Sequence, residues 1–365
     1  MTDGNFAGEP PRTAGDAPRG PGEAVHTGAL RLGTLRLGTR RSKLAMAQSG
    51  MVAEAVRQAT GRAVELVEIT TYGDISREHL AQIGGTGVFV TALREALLAG
   101  EVDFAVHSLK DLPTAQPEGL TLAAVPRRAD PRDVLVARDG LSFAELIADT
   151  SRPARIGTGA PRRMAQLNAF ARCQHAAIET VPVRGNVDTR INLVRNGELD
   201  AVVLAAAGLE RLGRSAEVTD FLSVDTVLPA PGQGALAVEC ASTNASLAAV
   251  LGELDDPLTR AAVTAERSLL AALEAGCSAP VGALADFPQG LDLGRAGETP
   301  TADEQIVKEM RLRGVVGTTD GTTLVQLSTT GPVPQAHDQA TALGRELAAE
   351  MLAKGAAGLM GERAL

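Results

Sequence analysis

Five arginines and one lysine fall just beyond short apolar runs in this chain. Arg40 follows Leu35–Gly38, Lys110 follows Val102–His107, and Arg162 and Arg163 follow the run that ends at Ile156-Gly157. Arg184 and Arg190 come after Val183. Ser42, Ser108 and Thr158 accompany them, together with a single carboxylate, Asp111. A lone loop arginine is ordinarily a solvated surface residue, but six cations at equivalent positions point to a site. The partner they suit is a carboxylate or a phosphate, because a guanidinium grips either through a two-pronged fork. Asp111, ionised among such cations, can hold a developing positive charge and accept N–H bonds from it. It can also move a proton.

The segment Gly157-Thr158-Gly159-Ala160-Pro161-Arg162-Arg163 resembles a dinucleotide fingerprint only weakly, because Arg162 stands where the third glycine belongs. Pro161 suits a first helical turn, whose free N–H groups favour an anion. No phosphate-loop Lys-Ser/Thr pair accompanies the glycines, so a carboxylate is the expected partner. Cys277 lies in Glu274-Ala275-Gly276-Cys277-Ser278-Ala279-Pro280, past a helix end that Gly276 would cap. A helix C-terminus disfavours a thiolate, so this thiol is poorly activated. Its loop of small residues would nevertheless admit a large group.

These residues need a scaffold, and the text supplies an alternation of strand-like and helix-like runs. Strands are expected at Leu35–Gly38, Val64–Thr70 and Val102–His107, with helices at Ser42–Ala59 and Val88–Leu98. The pattern recurs with strands at Ala154–Gly157, Ile178–Val183 and Ala201–Ala205, and helices at Pro161–Arg172 and Val187–Asn196. Two parallel α/β sheets follow from this alternation, with ligands expected at the carboxyl ends of their strands. Asp130-Pro131-Arg132-Asp133 reads as a hinge between them, and Leu228–Gly234 as a second crossing that leads into the strand Ala235–Glu239. A helix over Leu258–Ala275, strands near Ile306–Val316 and Leu324–Ser328, and a helix over Ala336–Leu352 suggest a smaller α+β unit.

Composition narrows the partners. Aromatics are 2% of 365 residues, Trp is absent and the formal charge is −9, which argues against nucleic acid. No apolar run is long enough for a membrane span. Residues 1–33, rich in Gly, Pro and charge, lack a secretory h-region and read as a disordered extension. Cys173, Cys240 and Cys277 show no C-x-x-C spacing, so neither a disulfide framework nor a metal site is expected, and a reducing cytoplasm suits them.

Several longer motifs resemble those of the porphobilinogen deaminase (hydroxymethylbilane synthase) family. They are Leu37-Gly38-Thr39-Arg40-Arg41-Ser42, His107-Ser108-Leu109-Lys110-Asp111-Leu112-Pro113, Val183–Arg190, Leu204–Gly213, Pro231–Leu236 and Gly276-Cys277-Ser278-Ala279-Pro280-Val281-Gly282. The resemblance runs from about Leu35 to the last helix. It implies an α/β fold of two type II periplasmic-binding-protein-like domains and a smaller α+β C-terminal domain. The corresponding ranges are 34–130 with 229–252, then 131–228, then 257–365. It also implies a monomer and a reaction: porphobilinogen loses ammonia, the resulting azafulvene is attacked by a growing chain, and four turnovers extend a covalent dipyrromethane primer before hydrolysis releases hydroxymethylbilane.

By motif position the resemblance makes Asp111 the catalytic carboxylate and Cys277 the thioether anchor of the dipyrromethane. Lys110, Arg162, Arg163, Arg184, Arg190 and Arg211 would hold cofactor and chain carboxylates. Arg40 and Ser42 would hold incoming substrate, and Phe89 would pack on a ring. The family's pattern is departed from at Tyr72, Gln82, Thr86 and Gly159-Ala160-Pro161. Two other readings compete: a non-catalytic two-lobed binder of a small anion, and a nucleotide-dependent dehydrogenase built on Gly157-Thr158-Gly159.

Overall fold

The computed structural model describes residues 33–70, 90–149, 151–275, 279–288 and 308–360. The extension expected over residues 1–33 therefore lies almost wholly outside the described residues. Phe89, Cys277, Tyr72, Gln82 and Thr86 lie outside them too.

The first lobe opens with β1 (Leu35–Thr39), α1 (Lys43–Thr60) and β2 (Val64–Glu68), a parallel strand–helix–strand unit. Ser42 caps α1, its Oγ accepting from the Ala45 N–H at 3.3 Å. One face of α1, with Val52, Ala53 and Val56, packs on the sheet beside Leu35, Leu37 and Phe104. Next come α2 (Thr91–Leu98), β3 (Phe104–Ser108) and β4 (Leu120–Ala124). The second lobe holds β5 (Asp133–Ala137), α3 (Phe143–Ala148), β6 (Ala154–Thr158), α4 (Pro161–Cys173) and β7 (Ile178–Pro182). It continues with α5 (Val187–Arg195), β8 (Ala201–Ala205), α6 (Ala206–Arg211) and β9 (Asp220–Phe221). The chain then returns to the first lobe as β10 (Leu236–Ala241).

Both sheets have five strands and matching orders, β2-β1-β3-β10-β4 and β7-β6-β8-β5-β9. They are mixed rather than parallel, which corrects the expectation above. β10 runs antiparallel to β3 and β5 antiparallel to β8. The reason is where each crossing enters. Leu236 sits opposite Ser108, and Asp133 opposite Ala205, so each incoming strand starts where its neighbour ends. β4 and β5 were not singled out in the sequence. Asp133, read there as hinge, is the first residue of a fully buried strand.

After α7 (Ala245–Gly252) and α8 (Pro257–Ala272), the strands β11 (Val281–Asp286), β12 (Glu309–Gly317) and β13 (Leu324–Pro332) form an antiparallel meander. α9 (His337–Ala353) packs with α8 over it. The two helices meet at Gly344, where a Cβ would lie 2.4 Å from the Ala265 carbonyl oxygen. The crossings and this unit join at a buried pair, Arg128 and Glu266. Arg128 donates to both Glu266 oxygens (2.6 and 3.0 Å) and to the Gln233 carbonyl (2.8 Å). Glu266 also accepts from the N–H groups of Gly232 and Ala285.

Candidate functional site

The carboxyl ends of β1, β3 and β8 and the loop after β7 face a cleft of about 1070 Å³ between the lobes. Arg40, Arg41, Ser42 and Lys43 enter it from the β1–α1 turn, and Ser108, Lys110 and Asp111 from the end of β3. Arg163, Arg184, Arg190 and Arg211 come from the second lobe. Eight cations thus face two carboxylates, Asp111 and Asp188, within the lining. Lys43 spans the mouth to Asp188 at 3.2 Å, and Arg214 pairs with Asp188 from behind. A smaller cavity of about 210 Å³ shares Lys110, Asp111, Arg163 and Arg190 with the cleft. Arg162, Ala279 and Val281 also line it, so the described residues flanking the Cys277 segment reach the Asp111 neighbourhood.

The local folding is simple. Ser108 is held by the Gln48 amide at 3.0 Å, and one 3₁₀ turn over Leu109–Asp111 then presents Lys110, half-buried, and Asp111 to the cleft. Asp111 is exposed, while Leu109 beside it is fully buried and anchors the turn. Behind the strand, Arg94 grips both oxygens of Glu239 (3.0 and 2.8 Å), and His107 Nε2 lies 3.2 Å from one of them. Burial opposes ionisation of Glu239, yet His107 and Arg94 outweigh it and hold its carboxyl down at about 2. Gly159 is required where it stands, because a Cβ there would lie 2.7 Å from the Val183 carbonyl oxygen. Thr158 Oγ1 accepts from the Ala160 N–H at 3.2 Å and so fixes the turn into α4.

The cations differ in what already engages them. Arg162 donates to Asp133 (2.6 and 3.2 Å), to the Leu228 carbonyl (2.9 Å) and to Gln233 Oε1 (3.1 Å). Its guanidinium is thus occupied from within the protein. Arg163 donates to Asp133 Oδ1 and to the Val203 carbonyl, but its buried Nε–H has no partner among the described residues. Arg211 donates to the Gly234 carbonyl at 2.6 Å and has a likewise orphaned Nε–H. Burial lowers the Arg211 pKa to about 10. Burial, then the charges of Arg163 and Arg184, lower that of Arg190 to about 10. Lys110 falls to about 8, chiefly through burial and against the opposing pull of Asp111, with Arg163 and Arg162 adding to the drop.

Arg41, Lys43, Gln233 and Asp133 were not chosen as site residues from the sequence. Arg41 and Lys43 were legible, since they adjoin Arg40 and Ser42. Gln233 sat in a quoted motif with no role, and Asp133 read as part of the hinge.

Two α/β lobes of matching strand order, facing a polycationic cleft with one exposed aspartate, define a protein suited to polycarboxylates. Orphaned buried N–H donors and excess positive charge fit a ligand of that kind. Residues 35–249 match the family model described as "Porphobilinogen deaminase, dipyromethane cofactor binding domain", and residues 260–353 match "Porphobilinogen deaminase, C-terminal domain". The chain belongs to the porphobilinogen deaminase family. It is 79% identical over 325 residues to porphobilinogen deaminase 1 of Streptomyces avermitilis, covering 89% of this chain and 96% of the relative. To the porphobilinogen deaminase of Thermobifida fusca it is 54% identical over 321 residues, covering 87% and 92%. Among solved structures, the probable amino-acid ABC transporter extracellular-binding protein of Bacillus subtilis aligns over 60% of this chain and 89% of its own. That alignment has 11% identity and a TM-score of 0.37. Membership of this family sets aside the non-catalytic and dehydrogenase readings.

Proposed function

We propose that the chain joins four porphobilinogen molecules head to tail with loss of ammonia, extending a dipyrromethane held through Cys277, and then releases hydroxymethylbilane by hydrolysis. The observation that carries this reading is the position of Asp111, the carboxylate shared by both cavities and surrounded by cleft cations. When bound, the dipyrromethane supplies the nucleophilic pyrrole carbon. Arg163, Arg184, Arg190, Arg211 and Lys110 bind the acetate and propionate groups that each added ring brings. Arg162 acts beside them, braced against Asp133. Arg40 and Ser42 orient incoming substrate at the β1–α1 turn; Ser42 Oγ, although it caps α1, still has its own O–H to donate. Asp111 stabilises the cation left as ammonia departs, accepts pyrrole N–H bonds and takes up the proton lost on coupling. Three domains with the boundaries given above, a cytoplasmic location and a monomeric state belong to the same reading. Among the described residues no helix is long and apolar enough to cross a membrane.

The decisive experiment is the intact mass of the purified protein. An excess equal to two linked pyrrole units is expected, and Cys277→Ala should lack it. An unmodified yet active protein would remove the covalent-cofactor reading.

Lys110 adds a pH dependence. Its charged form binds carboxylate, and its pKa of about 8 lies below the ordinary 10.5, so the folded protein loses this cation earlier than a free lysine would. The unfolded chain binds the extra proton between those values, so this group's contribution to stability rises with pH there, while anion affinity falls. Bound carboxylates push the pKa back up. The KM for porphobilinogen should therefore rise as pH climbs above about 8. Lys110→Gln, with a higher KM at pH 7, should lose that rise. An identical profile in the variant would take Lys110 out of substrate binding.

A further inference from the structure

One carboxylate lies beneath the arginine pair. Asp133 is 0% exposed and receives Arg162 on both oxygens and Arg163 on Oδ1 at 2.7 Å. It is also the first residue after the outgoing crossing. From the returning crossing, the Gln233 side chain donates to Asp133 Oδ1 and to the Pro131 carbonyl (both 2.8 Å). Its Oε1 accepts from Lys110 at 3.3 Å and from Arg162 at 3.1 Å. Three cations, Lys110, Arg162 and Arg163, therefore converge on one carboxylate and one neutral amide.

We propose that Asp133 is a resident counter-ion that weakens the grip of the Arg162–Arg163 pair on ligand carboxylates. It occupies Arg162 and part of Arg163, leaving the pair under-neutralised yet not bare. This inference rests on the proposed function and deepens it. A product that lengthens by two carboxylates per turn must be held and then passed on. Binding that is uniformly tight would favour retention without speeding the chemistry. Asp133 acts through the arginines and is a positioning residue; Gln233, neutral and able both to donate and to accept, keeps it in register with Lys110.

A charge series at this one locus tests the idea. Asp133→Asn adds one net positive charge, whereas Gln233→Glu subtracts one. The probe is benzene-1,2,4,5-tetracarboxylate, titrated into the purified full-length protein at several salt concentrations. Asp133→Asn should bind it about three- to tenfold more tightly, as expected of a unit charge within ~10 Å at near-surface dielectric, and with a steeper salt dependence. Gln233→Glu should bind it more weakly and with a shallower one. With porphobilinogen, Asp133→Asn should lower KM and kcat together. If Asp133→Asn binds the probe equally or more weakly, Asp133 is only scaffolding and the proposal falls. Should that variant fail to fold, an unchanged or tighter affinity in Gln233→Glu overturns it equally. Porphobilinogen consumption by the unaltered protein reports separately on the underlying function, and the sign of the probe shifts stands without it.

Discussion

Asp111→Asn is expected to lower porphobilinogen turnover by about 10²- to 10⁴-fold, the range a positioned acid–base group commonly supplies. The substitution keeps size and one acceptor oxygen but removes the charge that would stabilise a cation and collect a proton. Folding should be unaffected, because Asp111 is exposed, and the turn that carries it is anchored by buried Leu109. Nor should the intact mass change if priming needs only the thiol and the cleft cations. The measurement pairs steady-state turnover with intact mass on one preparation. Turnover within threefold of the parent would remove Asp111 from catalysis. Loss of the extra mass together with turnover would move its role back to priming.

Arg128→Leu should cost about 3–5 kcal/mol of stability, because it strands a buried carboxylate. Glu266, fully buried, would keep two N–H donors, from Gly232 and Ala285, but no cation. The damage would spread, since Arg128 also holds the Gln233 carbonyl of the returning crossing and its own N–H reaches Thr259 Oγ1 on α8. Pairing it with Glu266→Leu separates charge from packing. The double variant removes the stranded charge but leaves the Gly232 and Ala285 N–H groups without their acceptor, so it should recover only part of the loss seen in Arg128→Leu. Urea denaturation reads both. A single variant within about 1 kcal/mol of the parent would show that the junction does not depend on this pair.

Much of the scaffold was legible along the chain. Ser42 and Pro161 mark helix starts where the structure has them, since the signals that start a helix lie within its first turn. The recurrence of cations after apolar runs located the cleft, because strand ends in α/β sheets converge there. The parallel reading of the sheets failed at β5 and β10, for strand direction depends on where a distant crossing enters.

The sequence by itself determined most of the element pattern, the family and many of the cations that face the cleft, because each is written in neighbouring residues or in contiguous motifs. Only the tertiary structure decided how those cations differ. Arg162 and Arg163 are adjacent and look equivalent on the page, yet both terminal nitrogens of the first are engaged twice over while the second retains an orphaned Nε–H. The difference comes from Asp133 and Gln233, which lie far from them along the chain and are brought in by the two crossings. Charge acts through space, and the distances that govern it are set by packing.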